Sequence, residues 1–164
     1  MTLKIAALQM VSTPDVDRNL EAAARLVAQA AAAGAQLVAL PEYFCLLGRR
    51  DTDKLAVAEP AGAGPIQRFL ADTARRHGVA IVGGTLPVAA PGSGEGGGEG
   101  SGEGRSGGAP RVLNRCCVLG PDGREAAHYD KVHLFAFDNG RESYDEGRTL
   151  AAGDAPRALT LELA

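Results

Sequence analysis

Long apolar runs, basic charge and cysteine are all scarce in this sequence of 164 residues, and each shortage argues against a class of protein. No stretch reaches the roughly 20 apolar residues that a membrane-spanning helix needs. The N-terminus has no basic flank followed by a long apolar stretch, so it does not resemble a signal peptide. The net charge of −3 provides no basic surface for nucleic acid or an anionic membrane. We therefore expect a cytoplasmic protein with neither nucleic acid nor a membrane as its partner.

Cysteine occurs at three positions, Cys45, Cys116 and Cys117. The number is odd, and the spacing is not that of a metal site. Cys116 and Cys117 are neighbours, so in a strand they would point to opposite faces, which disfavours joint binding of one ion. The sequence predicts buried, reduced thiols and neither a metal nor another cofactor.

The first forty residues predict a β-α-β unit. Residues 3–10 form an apolar run of strand length that we expect to be buried on both faces. A helix should follow, with Thr13 or Asp15 as its N-cap and Gly34 as a left-handed C-terminal cap. Residues 37–40 predict a second buried strand, which would lie parallel to the first.

The pattern then repeats and is followed by a hairpin. Residues 65–77 predict a second amphipathic helix, and residues 79–86 predict a third strand. Residues 113–119 and 124–129 predict two paired strands, because a Gly-Pro-Asp-Gly turn separates them. Residues 158–163 alternate between apolar and polar side chains and predict a last strand.

A glycine-rich segment, residues 91–110, interrupts this order. Its Gly, Ser and Glu residues cannot bury enough apolar surface to offset the entropy of ordering the chain. We interpret it as a disordered surface insertion between two strands of one sheet rather than as a linker between domains.

Two charged side chains follow predicted strands and are candidates for a functional site. Glu42 comes directly after the strand that Pro41 ends, and ligands bind at the carboxyl ends of strands in parallel α/β sheets. Lys131 lies near His133 and several apolar residues, so its ammonium needs a carboxylate partner or a shifted pKa. The simpler interpretations are a solvated loop acid, a lysine that extends to solvent and a histidine packed in the core.

Four segments resemble, in order and at compatible spacing, motifs of the nitrilase superfamily of carbon–nitrogen hydrolases. They are KIAALQ (residues 4–9), LVALPE (37–42), YDKVHLF (129–135) and YDEGRTL (144–150) with Gly153-Asp154. The chain is similar to this family over essentially its whole length. The resemblance implies an α/β fold of the four-layer α-β-β-α sandwich type. Residues 1–164 would then form an incomplete domain whose C-terminal part is missing.

The resemblance also implies roles for particular residues. Glu42 would be the general base, and Lys131 would stay cationic beside it and stabilise an anionic tetrahedral intermediate. Glu146 would be the family's second glutamate, with Glu142 as a competitor for that position. The family's nucleophilic cysteine follows the next strand, beyond residue 164, and we expect none of the three cysteines present to replace it. The chain alone should therefore be inactive.

Among branches of the family, the small omega-amidases and deaminated-glutathione amidases look most similar. This implies a small-molecule amide or nitrile as substrate, in particular a carboxylate-bearing amide such as a 2-oxo acid omega-amide, and a homo-oligomer for the full-length protein. A nitrilase or an N-carbamoyl hydrolase is the alternative within the family, and a truncated remnant or binding module is the alternative outside catalysis. A flavodoxin-like nucleotide binder is disfavoured, because no glycine-rich loop follows the first strand.

Overall fold

The computed structural model describes residues 2–91, 110–161 and 163, which form a mixed α/β structure. The helices are α1 (Val16–Ala32), α2 (Asp53–Ala56) and α3 (Pro65–His77), with a 3-10 turn at Glu146–Arg148. The strands are β1 (Ile5–Ala7), β2 (Leu37–Ala39), β3 (Ala80–Val82), β4 (Leu86–Ala89), β5 (Val112–Leu119), β6 (Glu125–Asp130), β7 (Ala136–Asp138), β8 (Ser143–Asp145) and β9 (Leu150–Ala151). No helix in these described ranges is long and apolar enough to cross a membrane.

The predicted β-α-β unit is confirmed. Strands β1, β2 and β3 are parallel, and Val38 of β2 pairs with Ala6 on one side and Ile81 on the other. Helix α1 begins after Asp15, whose Oδ1 accepts a hydrogen bond from the Arg18 amide at 3.1 Å, as an N-cap does. Gly34 follows the helix at a φ of 86°, a conformation that glycine adopts without steric cost.

Strand β5 is the central strand of the rest of the sheet, because it pairs with other strands on both of its edges. On one edge it pairs with β3 and then with β4, and on the other with β6 and then with β9. The predicted β5–β6 hairpin is confirmed. Strands β4 and β5 are antiparallel neighbours, so the glycine-rich segment connects two strands of one sheet, as predicted. Its expected disorder falls on residues 92–109, which lie outside the described residues.

Helices α1 and α3 lie side by side and pack against the sheet. Their buried residues, among them Val27 and Leu70, join Val38 and Ile81 of the sheet in a core cluster. Helix α3 begins with Pro65 and ends at a left-handed Gly78, which confirms the second predicted helix. Glu42 and Lys131, described below, follow the ends of β2 and β6 of this sheet, whereas Glu146 follows β8, which pairs only with β7 in a second, two-stranded sheet of the described residues.

Three expectations about strands were wrong. Residues 79–86 do not form one strand, because the chain turns at Gly84 (φ 56°) and splits the segment into β3 and β4. Strand β1 is short and is not buried on both faces. Ile5 is 64% exposed, and β1 is the edge strand of the described sheet. The described residues of 158–163 form no strand, since an alternating pattern needs a partner strand and they pair with none.

Replacing Gly84 by alanine should destabilise the protein more than replacing Gly140 by alanine. Both glycines have a positive φ, which costs an alanine about 1–2 kcal/mol. Only at Gly84 would the new Cβ overlap a neighbour, the carbonyl oxygen of Pro41, which should add roughly 1–3 kcal/mol. Urea denaturation measures both free energies of unfolding, and equal losses would show that the close approach at Gly84 is unimportant.

Candidate active site

The chain leaves β2 through a constrained turn that presents Glu42. Leu40 still donates a backbone hydrogen bond to Val82 at 2.9 Å, so the sheet ladder continues to the residue before Pro41. Tyr43 then adopts a positive φ of 53°, which is uncommon for a residue with a side chain. Its amide donates to Thr85 Oγ1 at 2.9 Å, which helps to hold this conformation. The backbone before and after Glu42 is therefore held by hydrogen bonds to β3 and to Thr85.

Lys131 follows β6 and is fixed by its own backbone. Its amide donates to the carbonyl of Asn114 at 3.0 Å, and its carbonyl accepts from the amide of Gly153 at 2.9 Å. The Lys131 ammonium lies between two carboxylates, 3.1 Å from Glu42 Oε1 and 3.0 Å from Glu146 Oε2. The structure thus brings together the three residues predicted for the site, while their catalytic roles stay predictions.

Glu146 is the more buried of the two carboxylates that contact Lys131. It is 4% exposed and opens the 3-10 turn that follows β8. Its Oε2 accepts a hydrogen bond from the Phe135 amide at 2.8 Å, and its own amide donates to the Phe135 carbonyl. Glu142 lies in the turn between β7 and β8 and is exposed. Of the two glutamates considered for this position, it is Glu146 that contacts Lys131.

The surroundings of Lys131 determine its protonation. Burial alone lowers the pKa of a lysine, but the hydrogen bonds and charges of Glu146 and Glu42 outweigh it, so the pKa of Lys131 lies above its ordinary value. The apolar surroundings expected from the sequence are only partial, because Phe135 and Phe137 are exposed. His133 is exposed as well, so the expectation of a core histidine was wrong.

Asn114 is a site residue that the sequence interpretation missed. It lies in β5, is 1% exposed, and its Nδ2 donates to Glu42 Oε1 at 2.8 Å. Lys131 binds the same oxygen, so within the described residues both hydrogen bonds end on Oε1 and Glu42 Oε2 accepts none. The signal that could have revealed Asn114 is an amide within an otherwise apolar start of a strand.

The cysteines have the environment of inert thiols. Cys45 is fully buried, and burial raises its pKa to about 12. Burial also raises the pKa of Cys116 and of Cys117, so the environment of all three disfavours the thiolate form. No group of three or more metal-ligating side chains occurs in the part of the chain that the structure describes.

Replacing Glu146 by glutamine should lower the pKa of Lys131, because a neutral amide stabilises the ammonium less than a carboxylate does. Since the pKa of Lys131 is raised in the folded protein, the stability that it contributes is present at neutral pH and is lost as the pH rises through that pKa. The chain has three lysines, so ¹³C-labelled lysine gives few NMR signals to follow in a pH titration.

The matched control for this titration is Glu142→Gln, which removes the same charge from an exposed position and should leave Lys131 unchanged. Equal effects of the two substitutions would contradict the assignment of Glu146 as the partner of Lys131.

Known proteins are similar to this chain in sequence and in fold. A profile of the carbon–nitrogen hydrolase family matches residues 4–163. A deaminated glutathione amidase from Synechocystis sp. is 38% identical over 149 residues, which are 90% of this chain and 48% of that protein. The chloroplastic omega-amidase of Arabidopsis thaliana is 33% identical over 163 residues, 97% of this chain and 39% of that protein. The chain therefore spans about half of the length of these relatives, or less.

Among solved structures, Nit3 of Saccharomyces cerevisiae, a member of branch 10 of the nitrilase superfamily, superposes with a TM-score of 0.75. The match covers 98% of this chain and 52% of Nit3 at 23% identity, so it shows the fold alone. The predicted nitrilase-type α/β fold is confirmed, and the sheet and helix layer described above form part of it. Because the family profile extends over nearly all of the sequence, this chain belongs to the carbon–nitrogen hydrolase family.

Proposed function

We propose that this chain carries the acid–base half of an amidase that hydrolyses small omega-amides, with Glu42 as the general base, Lys131 as the cationic stabiliser and Glu146 as the residue that positions Lys131. The observation that carries the proposal is the unbroken contact from Glu42 through Lys131 to the buried Glu146. A carboxylate with one free oxygen beside a fixed ammonium is suited to transfer a proton and to stabilise a nearby anion.

The reaction would follow the family's cysteine chemistry. Glu42 Oε2 takes the proton of a cysteine thiol, and the sulfur forms a bond to the amide carbon while the carbonyl electrons move to oxygen. Lys131 stabilises that oxyanion. When the intermediate collapses, the carbon–nitrogen bond breaks, and ammonia leaves with the proton returned by Glu42. Water, deprotonated by Glu42, then attacks the thioester carbon. The carbon–sulfur bond breaks, the acid is released, and Glu42 returns the proton to the thiolate.

The names of two relatives, deaminated glutathione amidase and omega-amidase, support omega-amides as the substrate class. The nucleophile would come from outside residues 1–164, because Cys45 and Cys117 are buried and burial raises the pKa of all three thiols present. Cytoplasmic location and assembly of the full-length protein as a homo-oligomer stay predictions.

Ammonia release from glutaramate tests the proposal. The 164 residues alone should release no more ammonia than their Glu42→Ala variant. The coding DNA should continue in frame beyond codon 164 to a cysteine, and the protein that it encodes should hydrolyse the amide. In that protein Glu42→Gln should lower kcat by at least about 1,000-fold, because removing the base disables the catalytic unit. The exposed Glu142→Gln is the control and should keep full activity.

Several outcomes would contradict the proposal. A stop directly after codon 164 would favour the remnant or binding module of the same fold. Preference for a nitrile or an N-carbamoyl amino acid over glutaramate would favour the other branches of the family. Turnover by the 164 residues alone would mean that one of the present cysteines acts as nucleophile.

Asn114→Ala in the same protein should lower kcat by about 10- to 100-fold with little change in KM, because Glu42 loses the donor that orients Oε1 and small displacements of a catalytic group are costly. Combining it with Glu42→Gln should add almost nothing, since the two residues act as one unit. Additive effects in this double-mutant cycle would show that Asn114 acts independently of Glu42.

A further inference from the structure

A second recess lies beside the candidate site and is not used by the proposed reaction. Its volume is about 250 Å³, and it is lined by the segment that follows Glu42 and by Tyr144. The side chains with ionisable or hydroxyl groups that face it are those of Tyr43, Arg49, Arg50, Asp51, Lys54 and Tyr144. We call this recess the basic cavity, because its lining has three cationic side chains and one carboxylate.

Two of the three cations are already paired. Lys54 is mostly buried, and its Nζ lies 2.6 Å from Asp51 Oδ1. Arg50 Nε contacts Asp53 Oδ1 at 3.2 Å. The guanidinium of Arg49 has no ion pair within the described residues, although its backbone amide is held by Asp53 Oδ2 at 2.9 Å. The basic cavity therefore has one arginine with a fixed backbone and an unused charge.

The cavity adjoins the site that contains Glu42. Glu42 lines a neighbouring open groove, and that groove shares Tyr43 and Leu47 with the basic cavity. Burial and the charges of Glu146 and Glu42 raise the pKa of Tyr43. Burial, Asp51 and Glu146 raise the pKa of Tyr144. The Tyr43 hydroxyl accepts a hydrogen bond from Lys54 Nζ at 3.4 Å and keeps its own proton for a ligand, whereas the Tyr144 hydroxyl is hydrogen-bonded to Asp51.

The wall of the cavity is tied to the segment that holds Glu146. Asp51 Oδ2 accepts a hydrogen bond from Thr149 Oγ1 at 2.7 Å, and Thr149 follows the 3-10 turn that begins with Glu146. The Lys54 ammonium also lies 5.3 Å from the centre of the Tyr43 ring, within the range of a cation–π contact. These contacts fix the cavity relative to both glutamates, so a ligand group bound there would have a defined position relative to Lys131.

We propose that the basic cavity binds the free carboxylate of the substrate, with Arg49 as its ionic partner and the hydroxyl of Tyr43 as a further donor. The inference rests on the proposed function and assigns the residues that would recognise the carboxylate of an omega-amide. A guanidinium suits this task, because it binds a carboxylate through two parallel hydrogen bonds. The recess has a volume of about 250 Å³, which accommodates the end of a short acid.

The experiment compares two amides with the protein encoded by the full reading frame. Glutaramate and pentanamide have the same chain length and differ in having a carboxylate or a methyl group at the end. Arg49→Gln should lower kcat/KM for glutaramate by about 10- to 100-fold, the usual effect of losing a charge-assisted hydrogen bond, and should leave pentanamide unchanged. Arg49→Lys should restore part of the loss, since it keeps the charge without the paired donors.

The control is Arg25→Gln, which removes the same charge from an exposed position on α1. It should change kcat/KM for neither amide. Equal losses on both amides with Arg49→Gln, or no loss on glutaramate, would overturn the proposal. Because Arg49 is exposed, the substitution should not disturb folding, which far-UV circular dichroism checks.

A binding measurement separates this inference from the proposed function. Glutarate, which has no amide to hydrolyse, should bind the same protein in a calorimetric titration, and Arg49→Gln should weaken it by about 10- to 100-fold. If neither amide is hydrolysed and glutarate still binds through Arg49, the function is wrong and the carboxylate site stands. If amides are hydrolysed but glutarate binds equally well without Arg49, the site is wrong and the function stands.

Discussion

The ammonium of Lys131 between the carboxylates of Glu42 and Glu146 is the contact on which the candidate site depends. It joins three segments that are distant in sequence and that follow different strands. A buried carboxylate such as Glu146 is costly unless a cation and hydrogen-bond donors compensate its charge, and here Lys131 and the Phe135 amide do so. Removing any of the three charges would leave the others with an unbalanced partner.

Strand β5 makes this meeting of segments possible. Because both of its edges are paired, the strands that lead to Glu42 and to Lys131 belong to one sheet. Asn114 of β5 uses its side chain to hold Glu42 and its backbone carbonyl to hold the Lys131 amide. One residue in the middle of the sheet thus sets the distance between the base and the ammonium, and the same sheet is the surface against which α1 and α3 pack.

The sequence predicted the parts of the fold that local chemistry decides. The caps of α1, the proline that opens α3 and the turn between β5 and β6 act within a few residues, and each prediction was confirmed. The exposure of β1, the break at Gly84 and the choice of Glu146 over Glu142 depend on contacts between segments far apart in the chain. No periodicity encodes such contacts. Asn114 escaped notice for the same reason, since its partner Glu42 is distant in sequence.

The distribution of charge around the site has a consequence for the orientation of a substrate. Glu42, Lys131 and Glu146 carry a formal charge of −1 together, whereas the adjoining basic cavity has an excess of cationic side chains. A carboxylate would be repelled by the first group and attracted by the second, and in a partly desolvated recess both effects are stronger than in water. A neutral amide experiences neither. A substrate with one charged end and one amide end would therefore enter with the amide toward Lys131, and the separation of charge would reject the reversed orientation before any chemistry begins.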